Sequence, residues 1–238
     1  ARVAGDAYAF TLSNYCVSGL TAIAHAATQV AVGNLDRALA GGVEMMSRVP
    51  FLGDNASYYT DASLPQRMRF IPVVLAADRL AEAEGVSREQ LDAVALVSQQ
   101  RAGAAEADPE LTASRVPLGG LNRDECARPQ STAQSLAAMA PSFAALATQY
   151  ADALDGPIDH RHTIGHAPPI CDGAGLALIG GAPKAADKPR ARILGYAESG
   201  GDPHASLLAG FSAMAKVLER TGLTLADLDR IEFMEAFA

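Results

Sequence analysis

An α/β architecture follows from three features of the 238-residue sequence. Short apolar runs alternate with stretches of helical period. The periodic stretches end at glycines, as helices do. The apolar content of 49% is enough to bury a core. Tyr8 to Ser13 is a short apolar and β-branched run, predicted as a buried strand. Cys16 to Val30 has apolar residues at helical spacing and closes at Gly33. Arg37 to Ala40 reads as the next strand, stopped by Gly41-Gly42. Strand, helix and strand make a βαβ unit, for which a parallel sheet is the default.

From Met46 the pattern changes. Residues Met46 to Arg69 are polar and rich in turn formers, whereas Ile71 to Glu84 is amphipathic at helical period. Ser87-Arg-Glu-Gln90 has the form of a capping box and starts a helix to about Ala105, broken at Asp108-Pro109. Ser131 or Thr132 is placed to cap a further helix through Met139. Residues 46–166 thus read as a mainly helical insertion. Strand character returns at Gly173 to Ile179, followed by a polar turn and a strand at Arg190 to Ala197. Pro203 to Thr221 reads as a helix stopped by Gly222, Thr224-x-x-Asp227 as a capped turn, and Arg230 to Met234 as a last strand.

Composition excludes several classes. A net charge of −8 lacks the basic stripe that nucleic-acid binding needs. Mean hydropathy is +0.09, and no uninterrupted apolar window is long enough to span a membrane. Asp6 interrupts any apolar run near the start that could form a signal peptide. Three cysteines are too few for a disulfide scaffold and fit a reducing, cytoplasmic setting.

The chemistry concentrates at Cys16. A thiol where a strand turns into a helix faces unpaired N–H groups that favour an anion, and so a nucleophilic thiolate. Ser18 and Gly19 leave room for a substrate. From position alone, a buried structural cysteine fits equally well.

Asn14-Tyr-Cys-Val-Ser-Gly-Leu-Thr-Ala-Ile23 resembles the nucleophile motif of the thiolases. Ala40 to Pro50 resembles the segment leading into their loop domain. Further matches follow in order: Ser87 to Asp92 with Ser98; Asp124-Glu125 followed by Arg128-Pro129 and Ser131-Thr132; Pro141-x-Phe143; Asp172-Gly-Ala174; and Glu232-x-x-Glu235-Ala-Phe-Ala238. The last pattern leans toward the trifunctional-enzyme-like branch. The resemblance implies a thiolase-like fold, a mixed sheet with helices on both faces and a mainly helical loop domain. It implies transfer of an acyl group between a β-ketoacyl-CoA and CoA through a Cys16 thioester, in fatty-acid or related lipid metabolism. It makes coenzyme A a substrate, with no bound cofactor and no metal. Residues 1–45 would open the N-terminal half-domain, 46–166 form the loop domain and 167–238 complete the half. The C-terminal half, with its acid/base cysteine and histidine, would be absent from a chain that is part of a longer homo-oligomer, dimer or tetramer, compatible with a multienzyme partner. The apolar Cys16 to Val30 helix would be buried on several sides. Arg128, Ser131, Phe143, His166 and Pro168 fall on CoA-contacting stretches.

Two departures bear on activity. Met234 stands where the family usually has asparagine, or histidine in the branch named above, and a thioether donates no hydrogen bond to an oxyanion hole. His166-Ala-Pro-Pro169 replaces an Asn-x-Ser turn, and Pro168 and Pro169 have no N–H. A degenerate, acyl-CoA-binding thiolase-like protein is therefore the alternative. A ketoacyl synthase of the same fold fits less well, because it lacks the loop-domain motifs. Other candidates have plainer readings. His160, His162 and His166 are spaced for a metal, but no cysteine or carboxylate completes a usual signature. Cys126 and Cys171 read as interior or loop residues, and His25 as a core or interface residue. Arg123 and Arg128 could face phosphates or solvent, and Gly41-Gly42 reads as a tight turn.

Overall fold

The computed structural model describes residues 5–183 and 187–238. Residues 1–4 of the expected first domain, and 184–186 in the expected turn before Arg190, lie outside them. The chain divides into two compact units, 5–51 with 171–196, and 52–170 with 197–238. The segment 167–238, expected to rejoin residues 1–45, therefore splits: 171–196 does so, and 197–238 packs with 52–170.

The first unit is built from helix α1 (Ser18–Ala31), strand β1 (Arg37–Met45) and strand β2 (Asp172–Gly180). The strands pair antiparallel, with Ala40 opposite Ala177 and Leu39 opposite Leu178. This corrects the parallel βαβ expectation: the partner of β1 is not the strand before α1 but one far along the chain. Tyr8 to Ser13 forms no strand and pairs with no ladder among the described residues. The rings of Tyr8 and Phe10 stack on each other, and Phe10 meets His25 edge-on at 5.2 Å. Arg190 to Ala197 and, in the second unit, Arg230 to Met234 likewise form no strand among the described residues. Apolar, β-branched composition is not enough for a strand, which additionally needs a neighbour to pair with.

Gly41 and Gly42 do not stop β1, which runs through them to Met45. A Cβ on Gly41 would sit 2.0 Å from the Gly175 carbonyl oxygen, so the close approach of the two strands requires a glycine there. Helix α1 packs on both strands, but only its Ala24 and Ala26 are buried. Leu20 on α1, and Leu39, Val43, Leu176 and Leu178 on the strands, are exposed. Of the several sides of α1 expected to be buried in the longer protein, this chain covers only the one at Ala24 and Ala26 among the described residues.

The second unit is mainly helical. It contains α2 (Val73–Ala83), α3 (Arg88–Glu106), α4 (Pro109–Thr112), α5 (Ala133–Ala137), α6 (Ala144–Gln149) and α7 (Ala209–Thr221). The local signals are obeyed closely. Ser87 and Gln90 form both bonds of a capping box on α3. Asp108 caps α4 with Pro109 in its first turn. Thr132, rather than Ser131, caps α5. Gly222, at φ +69°, closes α7, and Thr224 and Asp227 cap the turn that follows. The expected helix from Pro203 begins as a 3₁₀ segment, Pro203–Leu208, before α7. The core gathers Ile71, Val74, Leu75 and Ala76 against Ala153 and Leu154, with Phe143, Tyr150 and Phe237 packed around them. No described helix is long and apolar enough to cross a membrane.

Gly41→Ala is expected to cost about 3 kcal/mol of stability by overpacking. Gly42→Ala, with open space at its Cβ position, should stay within about 1 kcal/mol. Thermal unfolding of the two variants checks this; equal losses would contradict the strand-contact argument.

Candidate active site

In the first unit, Cys16 is exposed two residues before α1. The turn that presents it is strained. Tyr15 has φ +47°, a conformation that costs a non-glycine residue about 1–2 kcal/mol. Three polar side chains of the same motif hold it. The Ser18 hydroxyl accepts from the Asn14 N–H (2.7 Å) and donates to the Tyr15 carbonyl (2.6 Å). Asn14 Nδ2 donates to Thr21 Oγ1 at 3.0 Å, and the Val17 N–H donates to the Asn14 carbonyl at 3.2 Å. Ser18 is thus a brace as well as a small neighbour. No side chain caps the start of α1, so the helix end beside Cys16 has no anionic side chain of its own.

In the second unit, a cleft of about 140 Å³ is lined by Ser98 and Gln99 of α3, by Gly165, His166, Pro168 and Pro169, and by Glu235 and Ala238. His166 and Pro168 are therefore brought together. Arg128 adjoins them: its N–H donates to Gln99 Oε1 at 2.6 Å, while its exposed guanidinium reaches only the Cys126 carbonyl. Ser131 sits on the same turn, its N–H bonded to the Arg128 carbonyl. Met234 is 61% exposed and does not line the cleft, which its neighbour Glu235 does. Phe143 packs on the core at the start of α6, away from the cleft lining.

His166 differs most from the expectation of a ligand-contacting side chain. Its ring is buried and both nitrogens are engaged. The Thr163 N–H donates to Nδ1 at 3.0 Å, so Nδ1 is the acceptor and Nε2–H donates to Asp92 Oδ1 at 2.7 Å. Burial pushes the imidazole below its usual 6.5, against the pull of Asp92. Asp92 also receives Arg88 Nε at 2.9 Å, and Arg88 donates onward to the Leu136 and Met139 carbonyls.

The other two histidines of the expected trio turn to Asp78, which is fully buried on α2. His162 Nδ1 lies 2.6 Å from Oδ1 and His160 Nδ1 lies 2.9 Å from Oδ2. The N–H groups of Arg161 and His162 each donate to Oδ1 at 3.0 Å. Burial alone would raise the Asp78 carboxyl. The imidazole and backbone hydrogen bonds outweigh that and hold it below 3.8. The histidine spacing that resembles a metal set thus serves two buried carboxylates. No described group of three ligating side chains converges as a metal set would. Asp78 and Asp92 are the residues that sequence reasoning missed. The signal was present, because Asp78 falls among Val74, Leu75, Ala77 and Ala81 on the buried face of α2.

Comparisons with known proteins identify the family. The family model "Thiolase, N-terminal domain" matches residues 1–180, and "Thiolase, C-terminal domain" matches residues 187–238. The second stretch is one that the motifs alone assign to the first half. The chain belongs to the thiolase family. It is 35% identical over 96% of its length to a β-ketoadipyl-CoA thiolase of Pseudomonas putida. It is 31% identical over 97% of its length to the human mitochondrial 3-ketoacyl-CoA thiolase. In each case it spans 60% of the relative. A crystal structure of the human mitochondrial enzyme in complex with CoA superposes with a TM-score of 0.77 at 30% identity, covering 93% of this chain and 58% of that one. The fold is therefore thiolase-like.

The two perturbed groups predict an acid-labile second unit. Both have lower proton affinity folded than unfolded, so the unfolded state binds more protons and stability declines as pH is lowered. The His166 contribution is complete above 6.5 and is lost as pH drops below it; that of Asp78 is complete above 3.8 and is lost below it. Urea midpoints measured from about pH 8 to about pH 3 should decline in both windows. His166→Asn should flatten the first; an unchanged slope there would contradict the buried neutral imidazole.

Proposed function

We propose that the chain is the acyl-accepting part of a thiolase-type acyltransferase, moving an acyl group between a β-ketoacyl-CoA and CoA. The Cys16 thiolate attacks the keto carbonyl, the carbon–carbon bond breaks, and the acyl group stays on sulfur as a thioester, while the leaving acyl-CoA carbanion takes up a proton from solvent that the CoA thiol gives back in the second half. CoA thiol then attacks the thioester and restores the thiolate. The observation that carries this reading is the braced, strained turn that presents an exposed Cys16 ahead of an uncapped helix. Arg128, Ser131 and the Pro168 turn are assigned to CoA, with CoA as substrate and no resident cofactor; Phe143 is assigned to CoA by motif only. In this reading residues 46–166 are the loop domain, the C-terminal half opens near residue 187, and the working protein is a cytoplasmic homo-oligomer. Residues 232–238 support the trifunctional-enzyme-like branch.

A second reading is favoured by Met234, whose thioether offers no donor, and by Pro168-Pro169, which offer no N–H. It is an acyl-CoA-binding protein that accepts or holds the thioester with little thiolysis.

Full-length protein incubated with a 3-ketoacyl-CoA is expected to carry one acyl group on Cys16 by peptide mass spectrometry, and Cys16→Ala none. An adduct on Cys126 or Cys171 with Cys16 unmodified would contradict the assignment. Met234→Asn restores a polar group worth about 3 kcal/mol in oxyanion sites, so thiolysis should rise by up to about 100-fold. Fast native thiolysis that Met234→Asn slows would contradict the role given to this position.

A further inference from the structure

The buried carboxylate–imidazole pairs have no part in the acyl transfer described above, yet they converge on one short segment, Glu235 to Ala238. The Glu235 carboxylate accepts from the Ser98 hydroxyl of α3. The Phe237 ring meets His162 edge-on at 5.6 Å and packs on the core. The Ala238 N–H donates to the His166 carbonyl at 3.1 Å, and His162 Nε2 lies 3.3 Å from the Ala238 oxygen. The segment is thus tied to the 162–166 turn, and that turn is tied to α2 through Asp78 and to α3 through Asp92. Glu235, Ala238 and His166 are also walls of the same cleft.

We propose that Asp92 is a positioning residue that acts through His166 to hold the Glu235–Ala238 segment in place as one wall of the cleft. Arg88 pairs the Asp92 carboxylate on its own helix, and His166 is the partner that links it to the 162–166 turn. A neutral His166 is the partner that fits, because it accepts from the Thr163 N–H and donates to Asp92 with one ring. The ring sets the height of its own carbonyl, which receives the Ala238 N–H. Asp78 and His162 form a second, independent tie, so loss of the first should loosen the segment without unfolding the unit. The consequence for turnover rests on the thiolase-type reading above; the positioning itself does not.

The test uses the full-length protein. Hydrogen exchange of the Glu235–Ala238 amides should quicken about tenfold in His166→Ala, with α2 and α3 amides unchanged. His166→Gln, whose amide nitrogen stands in for Nε2, should recover most of the protection; Asp92→Asn, which leaves Arg88 and His166 without the carboxylate charge, should lose it in part. In His166→Ala, and in part in Asp92→Asn, kcat for thiolysis should fall by a larger factor than KM for CoA rises, and His166→Gln should recover it. Segment exchange within about twofold of the wild type in His166→Ala would overturn the proposal. So would equal quickening of α2 and α3, or no recovery in His166→Gln. If the exchange results hold while Cys16 accepts no acyl group from a 3-ketoacyl-CoA, the functional reading fails and the positioning role stands.

Discussion

A carboxylate placed on the apolar face of a helix must be fully hydrogen-bonded or it will unfold what surrounds it. Asp78 meets that requirement with two imidazoles and two backbone N–H groups, and the architecture of the second unit follows. Residues 160–162 must pass directly over α2 to supply the donors. That fixes the next residues, 163–166, where His166 finds Asp92 on α3. Two helices and one loop are thereby locked in register by charge-assisted bonds that a purely apolar contact would not make so direction-specific. The cost is sensitivity to acid, since both partners lose their fit when protonated.

The first unit uses a different device for the same end. Backbone strain at Tyr15 is stored in a turn and held by Asn14, Ser18 and Thr21, all within one motif. Side chains that look merely small or polar in sequence hold the turn in which Cys16 lies. The two-stranded sheet beneath α1 owes its close spacing to Gly41, where any side chain would meet the Gly175 carbonyl. In both units an exact backbone path is set by a few local contacts and the apolar packing fills in around them.

Local signals were legible and long-range pairing was not. The capping box at Ser87 and Gln90, the break at Asp108-Pro109, the Gly222 stop and the Thr224 cap all formed as composition and spacing indicate, because each depends on residues close in sequence. Tyr8 to Ser13, Arg190 to Ala197 and Arg230 to Met234 have strand composition without a strand neighbour. Gly41-Gly42 reads as a turn until the distant Gly175 is seen. Cys16 was legible through its motif, and the cleft through His166 and Pro168. The partner of His166 was not, because nothing local joins residue 166 to residue 92. The trio of histidines, read as a polar loop or active-site wall rather than a metal set, hid its partners for the same reason: their carboxylates lie some eighty residues away in sequence, on helices whose buried faces had to be known first.

The central claim is that Cys16 is the nucleophile of a thiolase-type site that takes an acyl-CoA. Competitive alkylation of the full-length protein tests it most directly. Iodoacetamide labelling of Cys16, followed by peptide mass spectrometry with and without a saturating 3-ketoacyl-CoA, should show Cys16 labelled in the free protein and protected by the thioester. Labelling of Cys126 and Cys171 should be the same in both. Labelling of Cys16 that is indifferent to the acyl-CoA would contradict the account.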